Sequence, residues 1–247
     1  MKRQAIDIYT GPTTVGVDVS KWQGEIDWPR VAQDPQQIRF AVVRTGDGKD
    51  TDPLAVRNLI GAHEAGLRVA TYHYFRADRD GAYQRELVRE VLSVADVPVL
   101  FVAIDIEDGA DENLPNGIYP GPRSEKLDAA FVAAEALEFI EGVEQYLGER
   151  AVIYTGQWFH WTYSQARPEL AAPLGQWPLW VPSYASTHPR MPVNAKGEGF
   201  PWSTWTLHQY TAKGRVLGID APVDMNRFRG DYAALLEFGR QRPCPVL

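Results

Sequence analysis

The stretch Val99-Leu-Phe-Val-Ala-Ile-Asp-Ile-Glu-Asp108 decides the fold that we predict for this chain. It is an apolar run that closes on carboxylates, and its composition is typical of a strand buried on both faces. Side chains alternate along a strand, so Asp105 and Glu107 should point the same way, with roughly 6.5 Å of backbone between them. The other predicted strands and helices surround this pair.

Strands and helices alternate along the first part of the chain. Besides the quoted stretch, β-branched and apolar runs predict strands at residues 15–19, 40–45, 68–75 and 151–155. Helical patterns lie between them at residues 28–33, 53–65, 80–94 and 124–147. In the last of these helices the predicted apolar stripe is Leu127, Phe131, Ala134, Leu137, Ile140 and Val143. This alternation predicts a parallel sheet with crossover helices.

The rhythm changes after residue 156. Strands are predicted around residues 179–181, 205–209 and 223–228 without convincing helices between them, and a last helix spans residues 231–240. Eight strands with helices mainly in the first half indicate an α/β fold, a TIM-like (β/α) barrel with an incomplete helical ring. We expect an N-terminal arm at residues 1–14, a single barrel domain at residues 15–240 and a C-terminal tail at residues 241–247.

Composition argues against several classes of function. The 247 residues carry a formal net charge of -7, whereas a nucleic-acid partner needs a basic surface. The single cysteine, Cys244, cannot form an internal disulfide. No apolar run approaches the length of a membrane span, and the basic N-terminus lacks the apolar segment of a signal peptide. We therefore expect neither nucleic-acid binding nor membrane insertion.

Four acids fall near predicted strand ends, where the active site of such a barrel lies. They are Asp18 on the first strand, Asp105 and Glu107 on the fourth, and Asp224 on the last, which neighbours the first in a closed barrel. Acids at strand ends also cap helices, but a same-face pair that closes a buried strand is unfavourable unless it is used. Two carboxylates at this spacing are the catalytic groups with which glycosidases break a glycosidic bond.

Crowding of these acids suggests their roles. Carboxylates in a low-dielectric cluster cannot all be ionised, so one should keep its proton near neutral pH. We assign that proton to Glu107, as general acid to the leaving oxygen. Asp105 is expected to stay ionised, either facing the developing oxocarbenium charge or orienting the substrate. The spacing leaves retention and inversion of configuration both open.

Aromatic residues are the second signal, because their faces stack on the apolar faces of sugar rings. Tyr72, Tyr74 and Trp180 are expected to contact substrate, although a core position is the alternative for any single aromatic residue. The histidines include no HExxH motif, and no GxSxG motif is present. We expect no metal and no other cofactor, and we interpret His73 as a buried histidine with its hydrogen bonds satisfied.

Several motifs follow one another along the chain in a recognisable order. They are Gly16-Val-Asp-Val-Ser-Lys-Trp-Gln-Gly24, Ala65-Gly-Leu-Arg-Val-Ala-Thr-Tyr-His-Tyr-Phe75, Ala103-Ile-Asp-Ile-Glu107, Val152-Ile-Tyr-Thr155, Leu179-Trp-Val-Pro-Ser-Tyr184, Leu207-His-Gln-Tyr-Thr211 and Val223-Asp-Met-Asn-Arg-Phe228. In this order and at barrel spacing, the chain resembles glycoside hydrolase family 25, the Chalaropsis-type or cellosyl-type lysozymes. The resemblance runs from about residue 15 to residue 230 and includes the DxE motif of that family.

The resemblance implies a barrel of five β/α units followed by three strands. It also implies hydrolysis of the β-1,4 bond from N-acetylmuramic acid to N-acetylglucosamine in peptidoglycan. Glu107 would be the proton donor, and Asp105 a stabiliser, a nucleophile or the partner of the substrate's N-acetyl group. Asp18 and Asp224 would lie in the same site, and Gln209 and Asn226 would hydrogen-bond the sugar or the acids. Tyr154 and Tyr184 complete the expected substrate contacts, and we expect a monomer acting on glycan strands.

Two segments look long for this family and should lie at the catalytic face, at residues 108–123 and 186–203. Without an export signal, such an enzyme would be made in the cytoplasm and reach the wall after phage-type lysis, in an injected particle or by non-classical export. Two alternatives stay open. A chitinase-like family 18 barrel would need Asp where Leu100 and Ala103 stand, and a glycan-binding barrel without catalysis would have no need for four clustered acids.

Overall fold

A computed structural model describes residues 6–76, 78–107, 129–156, 163–164, 166–184 and 187–241 of the chain. The strands within these ranges are β1 (Thr13–Val19), β2 (Phe40–Asp47), β3 (Asp50–Thr51), β4 (Arg68–Tyr74), β5 (Val99–Asp105), β6 (Ala151–Tyr154), β7 (Leu179–Pro182), β8 (Leu207–Val216) and β9 (Ile219–Arg229). The α-helices are α1 (Trp28–Ala32), α2 (Ala55–Glu64), α3 (Gly81–Ala95), α4 (Ala129–Gly142), α5 (Pro168–Ala171) and α6 (Tyr232–Arg240). Shorter helical turns lie at Lys21–Gln23, Val143–Leu147 and Ala172–Gln176.

Eight of these strands close into a barrel. The order around it is β1-β9-β8-β7-β6-β5-β4-β2, and the pairing of β2 with β1 completes the ring, while β3 lies outside on β2. A helix follows each of the first five barrel strands, and no described helix lies between the last three. The expected architecture of five β/α units, three further strands and an incomplete helical ring is confirmed.

The last strand runs against the others. β9 is antiparallel to both of its neighbours, β1 and β8, whereas the other barrel pairs are parallel. β8 and β9 are joined by a tight turn at residues 217–218, which only an antiparallel pair permits. The start of β9 therefore lies at the same end of the barrel as the carboxyl ends of the parallel strands.

Alternation along β5 divides the core into two layers. Phe101 and Ala103 belong to the cluster that fills the barrel interior, whereas Val102 and Ile104 belong to the cluster under the surrounding helices. Asp105 has the parity of the interior residues, so its side chain enters the top of the barrel. Glu107 lies two residues further on, just past the end of the strand. The predicted same-face arrangement of the pair follows from this alternation.

Two helices bury different residues from those predicted. On α3, Leu87 and Val91 are buried as expected, but Val94 is 67% exposed. On α4, Phe131 is 44% exposed, and the buried face consists of Val132, Ala133, Ala136, Phe139 and Ile140. Of the predicted stripe, Ile140 and Val143 are buried and Leu137 is partly buried, whereas Phe131 and Ala134 are exposed and Leu127 lies outside the described residues. The stripe was wrong in part because α4 is apolar around most of its circumference, so that contact with the barrel decides which side is inside.

The amino ends of the barrel strands are closed by α6 and by the N-terminal arm. Leu235 of α6 is fully buried in the interior cluster. In the arm, Asp7 pairs with Arg229, and the ring of Tyr9 meets that of Trp205 edge-on at 5.7 Å. Residues 1–5 of the arm and 242–247 of the tail lie outside the described residues. Within the described ranges, no helix combines the length and the apolar character needed to cross a membrane.

The long segment before β8 does not remain at the catalytic end. Arg190 is tied to the Ser183 hydroxyl near the carboxyl end of β7, and Trp202 donates its indole N–H to the Trp177 carbonyl before the start of that strand. The described part of this segment, residues 187–203, therefore crosses from one end of the barrel to the other along the outside. Only the start of the segment lies at the catalytic end, where we expected the whole of it. The other long segment, residues 108–123, lies outside the described residues.

Candidate active site

A cavity of about 390 Å³ opens at the carboxyl ends of the parallel strands. All four predicted acids line it, contributed by three different strands: Asp18 by β1, Asp105 and Glu107 by β5 and its extension, and Asp224 by β9. Six of the residues predicted to bind substrate line it as well: Tyr72, Tyr74, Tyr154, Trp180, Tyr184 and Gln209. We call this cavity the acid pocket.

Asp18 and Asp224 face each other across the seam of the barrel. They are register partners in the antiparallel pair β1–β9, so their Cα atoms lie directly opposite each other. Asp224 is the sixth of the eleven residues of β9, and the antiparallel pairing of that strand with β1 places it opposite Asp18, near the carboxyl end of β1. The pairing of β1 with β9 thus brings together the two acids that were predicted to meet across the seam.

Asp18 is buried but well supplied with hydrogen bonds. Its Oδ2 atom accepts one from the Gln209 side-chain amide at 2.9 Å and another from that of Asn226 at 2.7 Å. Both amide groups are themselves almost fully buried. Burial raises the pKa of Asp18 to about 6, and the two amide donors oppose that rise because they favour the charged carboxylate.

A ring of donors fixes the two amides. The Trp180 indole donates to Asn226 Oδ1 at 2.9 Å, and the hydroxyls of Tyr154 and Tyr184 donate to Gln209 Oε1 at 3.0 and 2.7 Å. With its oxygen already occupied, each amide must turn its NH₂ group toward Asp18. The network therefore holds Asp18 ready to stay ionised.

Two side chains that we expected to contact substrate are buried beside the acids, although Trp180 is part of the pocket wall. Trp180 is 1% exposed and Asn226 is 0% exposed, so neither presents a surface to a sugar. The Trp180 indole donates to Asn226, and the Asn226 amide donates to Asp18. Of the two roles expected for Gln209 and Asn226, the structure supports bonding to the acids.

Asp105 is the most enclosed member of the cluster. Its Oδ1 atom is buried without a hydrogen-bond partner among the described residues. Burial, and then the charges of Glu107 and Asp18, raise the pKa of Asp105 well above its usual range, and the Arg44 guanidinium opposes this rise. We expected Asp105 to be the carboxylate that stays ionised. The geometry favours Asp18 for that state, because Asp18 has the donors that Asp105 lacks.

Glu107 and Asp224 are poised to hold protons. Burial, followed by repulsion from Asp18, raises the pKa of Glu107 to about 7. Burial and repulsion from Asp18 and Glu107 raise the pKa of Asp224 to about 8. Neither carboxyl group accepts a hydrogen bond from a described residue that would favour its charged form. A partly exposed carboxylic acid with a pKa near neutrality is suited to proton donation at physiological pH.

Arg44 is a residue of the site that sequence reasoning missed. It is the one cation among the described residues that line the acid pocket, and it is buried. Its guanidinium pairs with Asp52 at 2.8 Å, and Asp52 also accepts hydrogen bonds from the backbone N–H groups of Lys21 and Leu54. The available signal was an arginine at the interior parity of an apolar strand, Phe40-Ala-Val-Val-Arg44.

His73 has the structural role that we expected. It is 0% exposed, with one ring nitrogen 3.2 Å from the Gly48 carbonyl and the other 3.4 Å from the Thr45 hydroxyl. Burial lowers its pKa to about 4, so it is neutral at physiological pH. Among the described residues, no three His, Cys, Asp or Glu side chains form a group that could hold a metal ion.

Comparison with known proteins identifies the family. The family model described as glycosyl hydrolases family 25 matches residues 17–219. The chain belongs to this family. As a member of glycosyl hydrolases family 25 it is a glycoside hydrolase, and the pocket of four carboxylic acids described above is the part of the fold that suits that chemistry.

Several known proteins match along nearly the whole chain. The uncharacterized protein YegX of Escherichia coli (strain K12) is 31% identical over 244 residues, which cover 96% of this chain and 78% of YegX. Lysozyme M1 of Streptomyces globisporus is 28% identical over 236 residues, covering 90% of this chain and 69% of that protein. The crystal structure of the bacterial lysozyme from Streptomyces coelicolor superposes with a TM-score of 0.74 at 26% identity, covering 94% of this chain and 98% of that one.

Proposed function

We propose that this chain is a muramidase, a lysozyme that hydrolyses the β-1,4 bond between N-acetylmuramic acid and N-acetylglucosamine in peptidoglycan. The observation that carries the proposal is that the acid pocket holds one carboxyl group suited to be protonated and another suited to be ionised. Glu107 has a raised pKa and no donor to its charged form, and it faces Asp18, which two buried amides hold as a carboxylate. One acid and one carboxylate across a cleft are what glycosidic cleavage requires.

In the proposed reaction, Glu107 gives its proton to the glycosidic oxygen as the bond from that oxygen to the anomeric carbon breaks. The positive charge that develops on the sugar is stabilised by the carboxylate cluster, with Asp18 its best-prepared ionised member. Water supplies the oxygen that ends on the anomeric carbon, and its proton returns to a carboxylate of the cluster. Net consumption is one water for each bond cleaved.

The tyrosines of the pocket are suited to hold the sugar. Tyr72 and Tyr74 of β4 and Tyr184 after β7 line the pocket with polar hydroxyls and flat faces. Tyr184 is 52% exposed, so its ring is accessible from solvent. Aromatic side chains of this kind combine stacking with hydrogen bonding to sugar hydroxyls. We propose that these three contact the substrate and that the enzyme works as a monomer on wall glycan.

Product analysis tests the proposal. Purified peptidoglycan is digested, the new reducing ends are reduced with borohydride, and the fragments are analysed by mass spectrometry. We expect reduced muramic acid ends with the wild-type protein. Reduced glucosamine ends would place the cleavage on the other glycosidic bond. Wall binding without new ends would favour the glycan-binding alternative.

Substitution of the proposed acid provides the matching control. Glu107→Gln removes the proton donor with little change in shape, and activity should fall by about 10²- to 10⁴-fold while the circular dichroism spectrum stays the same. Glu64→Gln, at an exposed position on α2, should retain full activity. Equal turnover by the wild type and Glu107→Gln would remove Glu107 from the mechanism.

A further inference from the structure

Trp22 is an exposed aromatic residue at the edge of the acid pocket. Its side chain lines that pocket, yet the residue is 70% exposed, the largest exposed fraction among the big apolar side chains in the described part of the chain. The other indole of the pocket, Trp180, is fully buried. A large aromatic ring that is exposed to solvent beside a glycan-cleaving site can stack on the apolar face of a sugar ring.

The turn that carries Trp22 is held by hydrogen bonds, and the exposed indole ring has the Lys21 ammonium over one face. The Ser20 hydroxyl accepts from the Trp22 backbone N–H at 3.3 Å, and Gln23 Oε1 accepts from the Ser20 N–H at 2.8 Å. The Gln23 amide then donates to the Pro222 carbonyl at 3.2 Å, which ties the turn to β9. These hydrogen bonds fix the backbone that carries the indole, so less ordering of the turn is needed when a ligand stacks on the ring.

Lys21 places a positive charge beside this ring. Its ammonium lies 5.1 Å from the centroid of the Trp22 ring, and it forms no ion pair with a described acidic residue. Its backbone N–H is fixed by Asp52 at 2.9 Å, so the position of the residue is defined. Among its described residues, the acid pocket itself presents four acids and one cation, Arg44, whose charge is paired with Asp52, so the pocket disfavours an anionic substrate. An unpaired cation at the rim favours a sugar that carries a carboxylate.

We propose that Trp22 is a stacking platform for a pyranose ring of the glycan strand, and that Lys21 favours a ring whose substituent ends in a carboxylate. In the substrate proposed above, that ring is N-acetylmuramic acid, whose lactyl group ends in a carboxyl group. N-Acetylglucosamine has no such group. This inference rests on the proposed function for the identity of the sugar, but the stacking role of Trp22 is tested by binding alone.

Indole N–H signals report the stacking directly. The protein contains 8 tryptophans, and Trp22→Phe identifies the Trp22 signal in a ¹⁵N spectrum by its loss. The Glu107→Gln protein is titrated with a peptide-free tetrasaccharide of alternating N-acetylglucosamine and N-acetylmuramic acid. We expect the Trp22 signal to shift by more than those of the tryptophans outside the pocket. The stacking role of Trp22 would be contradicted if the glycan binds without shifting this signal, or if it does not bind at millimolar concentration.

Kinetics separate stacking from a structural effect. Trp22→Ala should raise KM about five- to ten-fold with little change in kcat, since the lost contact is made in the ground state and the transition state alike. Trp22→Tyr should restore most of the loss. Tyr83→Ala removes another exposed aromatic ring, on α3 and away from the pocket, and should change neither constant. An equal effect of Trp22→Ala and Tyr83→Ala would contradict the proposal.

Charge selection is tested with a neutral competitor. Trp22→Ala should weaken binding of both the tetrasaccharide above and tetra-N-acetylchitotetraose. Lys21→Gln should weaken only the first, by several-fold, and raised salt should reproduce that effect on the wild type. An unchanged preference in Lys21→Gln would remove Lys21 from the proposal. Wall digestion by the wild type is measured separately. Failure of the muramidase proposal would appear in the digestion products, whereas failure of the stacking proposal would appear in the binding of the Trp22 variants.

Discussion

At the scale of single residues, Asp18 shows how burial and hydrogen bonding decide a protonation state. Its carboxylate is as buried as that of Asp105, but two amides donate to Asp18, whereas one oxygen of Asp105 has no partner among the described residues. A donor to the charged form favours ionisation, and burial without a donor opposes it. Two acids of the same type in one pocket are thereby prepared for different states.

The activity of the wild type should depend on pH through these two groups. Proton donation needs Glu107 protonated, so kcat/KM should fall as pH rises past about 7, the pKa of Glu107. If charge stabilisation needs Asp18 ionised, kcat/KM should also fall as pH decreases below about 6. We expect a bell-shaped profile between these limits at constant ionic strength. A profile that rises steadily from pH 6 to pH 9 would contradict the assignment of the acid.

Asp18→Asn should change both the size and the shape of that profile. Loss of the carboxylate should lower kcat/KM by about 10²-fold, because a preorganised charge is removed from the site. Repulsion from Asp18 is also one cause of the raised pKa of Glu107, so the alkaline limb should move to lower pH. Asp50→Asn, exposed on β3, is the matched control and should show neither change. If the alkaline limb stays in place in Asp18→Asn, the charge of Asp18 does not raise the pKa of Glu107.

At the scale of secondary structure elements, an ion pair joins the second barrel strand to the turn at the pocket rim. Arg44 of β2 pairs with Asp52, which also accepts the backbone N–H of Lys21. The side chains are 9% and 1% exposed. The pair therefore links the strand, the segment after β3 and the turn that presents Trp22. Because it is buried, removal of one partner leaves an uncompensated charge.

Asp52→Asn should destabilise the protein by about 3–5 kcal/mol, since the buried guanidinium of Arg44 loses its counter-charge. The measurement is the free energy of unfolding from urea titration. Glu25→Gln provides the control, because the Arg57–Glu25 pair is exposed on both sides and its loss should leave the unfolding midpoint nearly unchanged. Similar midpoints for Asp52→Asn and Glu25→Gln would show that the buried pair is not a structural link.

At the scale of the whole molecule, the acid pocket makes stability depend on pH. The pKa values of Glu107 and Asp224 are raised in the folded protein, to about 7 and about 8. A group whose pKa is raised by folding binds protons more tightly in the native state, so its contribution is complete at low pH and is lost as pH increases through the folded pKa. The cluster should therefore favour folding near pH 4 and oppose it near pH 8.

Asp224→Asn tests this linkage. The neutral amide avoids the penalty of an ionised carboxylate, so the variant should gain melting temperature over the wild type by an amount that grows between about pH 4 and pH 8. A gain of 1 kcal/mol corresponds to about 2–4 °C for a chain of this size. Asp220→Asn, at an exposed position on the same strand, should give a difference that does not vary with pH. A constant offset for both variants would exclude the cluster as the cause.

Local pattern was enough to predict much of this protein. The strand–helix alternation, the buried strand β5 and the orientation of Asp105 and Glu107 all follow from periodicities of a few residues, which a sequence displays directly. Asp18, Asp105 and Glu107 were found for the same reason, since each lies at or just past the end of a recognisable strand, whereas Asp224 lies in the middle of β9. The motifs of glycosyl hydrolases family 25 then predicted that the site formed by these acids hydrolyses a glycosidic bond.

Only the tertiary structure decided which surfaces meet. The antiparallel direction of β9 brings Asp224 onto Asp18, and the amides that hold Asp18 come from residues 191 and 208 positions away in the chain. The buried face of α4, the role of Trp180 behind Asn226 and the course of residues 187–203 were likewise set by packing. Contacts between distant parts of a chain depend on how the barrel closes, and no local periodicity encodes that closure.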